Sequence, residues 1–380
     1  MTGALKSLHL ISPATIFERK QKGCHDASMI SPVWDFFFVG GLSFFFLPLL
    51  FFPDIPVTQR IFLISFSIGF IVNYPHFMHS YQLLYHKFFS TLIHPQTAVL
   101  RKVRMTIGGI IAPVALIAFL LAGAMQEDQN LLGYATNILF FLVGWHYVKQ
   151  GYGVLITLSV RKQVFYSGFE KKVLLLNAYI CWLTFWCRLN TYVYEDIFYS
   201  IPYETFAVPG IFYTAGIIGS ILFSVLSFGL LALKFIRYRQ ICINGIVGYG
   251  CAIYIWLLIV FFHPVLFYFF PALHSLQYLL FVWKMKYEKE REEHASLTKE
   301  EARMKTAKSM RNFLGVAIFL GALGFYLIPN LLDNIVTYNA HLMGPELFMY
   351  MFVIFINVHH YFIDFAIWRK DNPDMKYLFK

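Results

Sequence analysis

Hydrophobic stretches long enough to cross a bilayer follow one another along almost the whole chain, so it can fold only where lipid is part of the solvent. A helix needs about 20 mainly apolar residues to span the hydrocarbon core. The 380 residues offer ten such stretches, at 34–52, 61–85, 107–125, 131–160, 173–187, 206–235, 245–262, 264–283, 312–329 and 345–368. Only 14% of residues are charged, against roughly 25% in soluble domains, which leaves no room for a large soluble domain. Backbone groups in hydrocarbon must be satisfied within their own segment. The expected fold is therefore all-α: a polytopic membrane helix bundle of about ten transmembrane helices.

The loop charges orient the bundle, because cytoplasmic loops are enriched in Lys and Arg. The connections after even-numbered stretches hold Lys87, Arg101, Lys102 and Arg104, then Arg161, Lys162, Lys171 and Lys172, then Arg237 and Arg239, then the charged run 284–311. Those after odd-numbered stretches hold Asp54 with Arg60, then Glu127 and Asp128, then Arg188 with Glu195, Asp196 and Glu204, then Asp333. Basic residues also end the chain (Arg369, Lys370, Lys376, Lys380). Ten spans with both termini cytoplasmic satisfy this alternation. The organisation read from it is a cytoplasmic N-terminal segment 1–33, a bundle 34–368 with a charged cytoplasmic helix at 284–311, and a cytoplasmic tail 369–380.

The formal charge of +10 is spread over these short juxtamembrane runs, so it points to membrane topology and lipid contact and away from nucleic acid. Residues 1–33 contain Arg19, Lys20 and Lys22 but no apolar core with a small-residue cleavage site, so they read as an uncleaved segment at the membrane surface. The cysteines (Cys24, Cys181, Cys187, Cys242, Cys251) show no paired spacing and read as ordinary thiols. The 42 Phe and 24 Tyr read mostly as lipid contacts and interfacial anchors. Gly151-Tyr152-Gly153 follows no strand and matches no phosphate loop.

Thirteen histidines carry the functional signal. His9, His25, His94, His294 and His341 fall in the tail or loops. The others lie in or at the ends of spans: His76, His79 and His86 in the second, His146 in the fourth, His263 and His274 around the eighth, His359 and His360 in the tenth. Ionisable residues inside a bilayer are costly and mark functional or paired sites. The four spans all run from outside to inside. Counting back from the first inside charge, His76, His79, His274, His359 and His360 lie roughly 12 to 17 Å above the inner boundary at about 1.5 Å per residue, and His146 somewhat higher, at roughly 22 Å. Four helices thus offer imidazoles to one layer.

Local spacing suits a site. His76 and His79 are three apart and share a helix face, and Pro75 should bend the helix just before them. Pro271 stands similarly before His274. Asp364 lies one turn below His360, as a ligand or as acceptor of a second ring N–H. Lys149, one turn from His146, snorkels or pairs with Asp364. The expected metal ligands are His76, His79, His146, His274, His359 and His360, with Asp364, Tyr147, Gln150 and Gln277 as candidate catalytic or proton-handling partners. Imidazole suits Zn, Cu, Fe and Ni. The set exceeds the three protein ligands usual for catalytic zinc, and no HExxH segment is present, so mono- or dinuclear non-haem iron is the leading choice.

Through the pairs His76/His79 and His359/His360 the sequence resembles the integral-membrane histidine-rich non-haem iron oxygenases: the Brp/Blh carotene dioxygenases and, more distantly, the histidine-box fatty-acid desaturases and hydroxylases. The pairs read HFMH and VHH where the usual boxes read HxxxH and HxxHH, and their intramembrane depth favours the carotene-dioxygenase-like arrangement. The resemblance implies a metal-dependent oxidoreductase with O2 as co-substrate and a fatty acyl chain, isoprenoid or carotenoid entering from the bilayer. No flavin, haem-attachment or ferredoxin motif is visible, so an electron donor would be external. A bacterial inner membrane is the expected location. An intramembrane metal or proton transporter is the alternative, with a bis-histidine haem protein or a purely structural polar network as further readings.

Overall fold

A computed structural model describes residues 28–52, 55–192 and 197–380. The expectation for the N-terminal segment falls largely on residues 1–27, outside the described residues. The principal helices, in chain order, are α1 (Pro32–Phe38, continued by a 3-10 helix Gly41–Phe51), α2 (Gln59–Tyr85), α3 (Val99–Met125), α4 (Gln129–Arg161), α5 (Gly168–Thr191), α6 (Gly210–Tyr238), α7 (Ile243–Ile255), α8 (Pro264–Glu293), α9 (Lys299–Ile335) and α10 (Leu347–Ile367), with short helices at Phe88–Ile93, Ala340–Met343 and Pro373–Phe379. A two-residue ribbon pairs Ile197–Phe198 with Ile201–Pro202. The fold is all-α, as expected.

Eight of these helices are long and apolar enough to cross a membrane, and α1 with its continuation makes a ninth if the bent pair is one span. Two segments differ from the sequence reading. The stretch at 173–187, expected to be short, is the full helix α5, opened by a capping box in which Ser167 and Glu170 satisfy each other's backbone N–H. The stretch at 245–262 is not one crossing helix: α7 ends in a π turn and gives way to a 3-10 helix, Ile259–Phe262. Hydropathy counts apolar residues and is blind to the hydrogen bonding that changes there.

The bend in the first segment has a local cause. Gly40 adopts φ +140°, and a Cβ on it would lie 2.8 Å from Cys251 Cβ of α7, so a side chain fits neither the backbone nor the space. Gly151 plays a similar role between α4 and α7, where a Cβ would lie 2.5 Å from that of Ala252. This accounts for half of the Gly-Tyr-Gly sequence: a close helix contact of the small-residue kind that membrane bundles use, since apolar contact with lipid is nearly as favourable as with a neighbour.

Prolines shape α2, α3 and α9 alike. Pro75, Pro113 and Pro329 are each the second residue after a π turn (Gly69–Asn73, Ile107–Ile111, Leu323–Leu327). A proline cannot donate to the preceding turn, and the widened turn absorbs the misfit. The expected disturbance before His76 is therefore present as a π turn.

Helices α8, α10 and α4 form the centre, with 72%, 67% and 56% of their most apolar stretches buried, against 17% for α6 and 22% for α9. The C-terminal ends of α2, α4, α8 and α10 lie together. Arg161 donates to the carbonyls of Leu378 and Lys380, Lys289 pairs with Asp374, and Arg104 at the start of α3 pairs with Asp371. The four histidine-bearing helices run in one direction, as the loop charges required.

The other end of α10 is held by Asp333 of α9, whose carboxylate accepts the N–H groups of Phe348 (2.7 Å) and Met349 (3.1 Å). These are among the four donors that a helix start leaves unpaired. Asp333→Ala is expected to destabilise the protein by about 1 to 2 kcal/mol, read as a lower thermal midpoint in detergent. An unchanged midpoint would show that water caps α10 equally well.

Candidate metal centre

Imidazoles from all four parallel helices meet inside the bundle. His76 of α2, His146 of α4 and His360 of α10 each place one ring nitrogen within 4.8 Å of the others, and all three are buried. His274 of α8 completes the cluster, its ring centroid 4.9 Å from that of His146 and 5.3 Å from that of His76. A tetrahedral centre with metal–nitrogen bonds of about 2.0–2.1 Å needs ligand nitrogens about 3.3 Å apart, so the nitrogens of His76, His146 and His360, within 4.8 Å of one another, would have to close in by up to about 1.5 Å to hold an ion.

The hydrogen bonds behind two of the rings fix which nitrogen faces inward. Ser275 Oγ lies 2.9 Å from His76 Nδ1 and has carbonyl acceptors for its own proton in Pro271 O (2.9 Å) and Asn73 Oδ1 (2.6 Å). With the hydroxyl proton so used, the Ser275 oxygen accepts from His76 Nδ1–H. Ser80 repeats the pattern, donating to Phe77 O at 2.6 Å and lying 2.8 Å from His360 Nδ1. Both rings are thereby set as Nδ1–H tautomers, leaving Nε2 with its lone pair, and Nε2 of each has no hydrogen-bond partner in the described residues. A ligating histidine is oriented in this way through its other nitrogen. Nε2 of His146 and both nitrogens of His274 are likewise bare and buried.

Asp364 faces the same cluster. Its Oδ1 accepts the Tyr278 hydroxyl at 3.0 Å, and its Oδ2 lies 3.5 Å from His360 Nε2 and 3.8 Å from His146 Nδ1. Among the described residues no Lys or Arg forms an ion pair with it. A carboxyl buried in hydrocarbon is balanced by a proton or by a positive charge nearby, and a metal cation held by neutral imidazoles would be such a charge.

The structure does not bring His79 and His359 to this centre. His79 Nε2 accepts from Trp283 Nε1 (3.1 Å), its Nδ1 lies 3.4 Å from Gln82 Nε2, and the ring stacks on Phe313 of α9 at 4.0 Å. His359 engages Tyr81 Oη through Nδ1 and the Gly108 carbonyl through Nε2, each at 2.9 Å. Successive residues on a helix point about 100° apart, so His359 turns to α3 when His360 turns inward. That geometry was available in the sequence. The three-residue spacing of His76 and His79 leaves about 60° between them, enough to put them against different neighbours.

His146 sits with the other rings and not above them, because α4 runs on past the level where α10 ends and carries Arg161 out to the C-terminal residues. Tyr147 stacks on His274 at 4.1 Å, and Gln150 donates to the His274 carbonyl (3.1 Å) and to Gln277 Oε1 (3.0 Å). Both therefore support His274 from outside. Gln277 clamps helices together, donating to the carbonyls of Val39 and Gly248. Lys149 makes no ion pair with Asp364 and lies 5.9 Å from the Tyr179 ring. His263 caps α8 by accepting from Val265 N, and contacts Phe52 O. His86 lines a separate cavity at the charged end, where burial and the charges of Lys87, Lys289 and Lys286 hold its imidazole below the usual range.

Sequence reasoning missed Ser80, Ser275 and Tyr278. The signal was present for the first two, since each serine directly follows a histidine in a span. Ser80→Ala and Ser275→Ala are each expected to weaken metal binding about tenfold by freeing the ring behind its ligating nitrogen, measured by chelator competition. Unchanged affinity in both would mean that the serines do not orient the ligands.

No protein-family model matches the chain, and no curated protein or solved structure matches it either.

Proposed function

We propose that the chain is a membrane-embedded, metal-dependent oxidoreductase in which His76, His146 and His360 hold a non-haem transition metal, iron in the first place. His274 and Asp364 complete its surroundings. The reading rests on one observation: three imidazole nitrogens, two of them with hydrogen-bond-set tautomers, converge without partners in the interior of a bundle made for lipid. A redox-active metal with an open position would supply the chemistry with O2. The protein's own residues do the rest. The apolar helices exclude water, Asp364 with Tyr278 holds a proton acceptor beside the reacting centre, and Tyr147 and Gln150 fix His274. The substrate is a lipophilic molecule from the bilayer, and electrons come from a separate donor. In this reading the chain crosses a bacterial inner membrane ten times, α1 and α7 with their 3-10 continuations each making one bent crossing, with both termini cytoplasmic.

Elemental analysis of the protein purified in mild detergent tests this, alongside its absorption spectrum. About one iron per chain without a Soret band is expected. Folded protein free of any transition metal would overturn the reading, and loosely exchanging zinc or manganese would favour transport of the ion.

A further inference from the structure

A cavity of about 230 Å³ beside the histidine cluster is lined by α4, α8, α10 and the C-terminal 3-10 helix Pro373–Phe379. Its inner end is formed by buried His146 and Asp364, and its walls by apolar side chains such as Phe281, Val154 and Leu378. Lys149 and Arg369, both partly exposed, also line it.

Among the described residues no carboxylate pairs with Lys149 or Arg369. Arg369 spends its Nε on the Phe365 carbonyl (3.0 Å) and lies 4.7 Å from that ring. The acids nearby are engaged elsewhere: Asp371 with Arg104, Asp374 with Lys289, and Asp364 with Tyr278 and the imidazoles. Like charges left unpaired on the wall of a hydrocarbon cavity mark the place of an anion, and a guanidinium with an ammonium suits a carboxylate.

We infer that this cavity takes a single-chain anionic amphiphile, a long-chain fatty carboxylate, with its head between Lys149 and Arg369 and its first carbons against His146 and Asp364. The inference rests on the metal-centre reading and gives its substrate a charge. Lys149 follows His146 by one turn, about 4.5 Å along the helix, so a head bound there brings the adjoining carbons beside the imidazoles. At about 30 Å³ for a water-sized group, the volume takes roughly eight such groups. The remainder of a long chain extends into the bilayer.

The test uses the full chain in neutral phosphatidylcholine nanodiscs and an oleate analogue with a diazirine near its carboxyl, its cross-links located by mass spectrometry. Labelling of the α4 and α8 segments that line the cavity is expected, competed by oleate about tenfold or more better than by oleyl alcohol. The double variant Lys149→Gln/Arg369→Gln should lose capture about tenfold or more, and Lys149→Arg should retain it, while both elute as the wild type does. Equal competition by the alcohol would overturn the inference, as would undiminished capture by the folded double variant. Equal competition by phosphatidylglycerol would overturn it too, by assigning the cations to a two-chain lipid. Metal content of the same samples separates the two readings. Metal without capture rejects the fatty-carboxylate site alone, whereas capture with these preferences in metal-free protein keeps the site and removes the metal.

Discussion

His360→Gln is expected to strip the metal from the protein, while His359→Gln, one residue earlier, leaves it at the wild-type level. The two changes are chemically identical and lie in the same buried turn of α10, so composition, depth and helix propensity cancel between them. What differs is direction. His360 Nε2 points bare into the cluster, with Nδ1 held by Ser80, whereas both nitrogens of His359 are engaged by Tyr81 and Gly108. Removing one of three imidazoles should lower affinity by more than the roughly 10- to 100-fold typical of changes to a ligand's hydrogen-bond partner. Occupancy after purification should then fall near zero. His359→Gln should instead show as lost stability, since it leaves the Gly108 carbonyl and Tyr81 hydroxyl to find new partners. The measurement is metal per chain on protein that elutes as a single species. Equal metal in the two variants would remove His360 from the ligand set, and metal lost from both would mean that α10 cannot tolerate either change.

The contrast also marks where the sequence stopped being informative. Direction and depth of the helices were legible, because Lys and Arg at the ends of α2, α4, α8 and α10 obey loop electrostatics that do not depend on packing. From those, His76, His274 and His360 followed as one layer together with His79 and His359, with His146 placed somewhat above it. Rotation about each helix axis was not legible. In a soluble helix the apolar stripe tells which face turns inward. Here α2, which carries both, is apolar along most of its length, toward lipid and interior alike, so nothing in the periodicity said whether His79 or His76 faced the centre. The polar partners decide it: Ser275 across from His76, Trp283 and Phe313 around His79. The depth of His146 was misjudged for a related reason. Counting back from Arg161 took that charge as level with the ends of the other three helices, but α4, which ends at Arg161, runs on past the end of α10 to meet the chain's last residues.

Asp364→Asn offers the sharper test of whether a cation occupies the centre, because its sign should depend on whether the metal is there. The change keeps size and leaves an oxygen to accept the Tyr278 hydroxyl, so the fold has no steric reason to suffer. What it removes is a negative charge whose only basic neighbours within ion-pair distance, among the described residues, are His146 and His360. In metal-free protein that charge lacks a fixed positive partner, and replacing a buried uncompensated carboxylate is expected to leave stability unchanged or raise it. With metal bound, the carboxylate balances the ion, and its loss should weaken binding by about 10- to 100-fold. Because a ligand stabilises the folded state according to its affinity, the gain in thermal midpoint on adding metal should then be smaller in the variant than in the wild type. The expected result is a crossing: the Asp364→Asn protein is equal or better without metal, and worse with it. If the variant is destabilised equally in both states, Asp364 serves the packing of α10 through Tyr278 and the cluster has no need of its charge. If metal stabilises both proteins alike, the ion lies away from Asp364 and the imidazoles hold it alone.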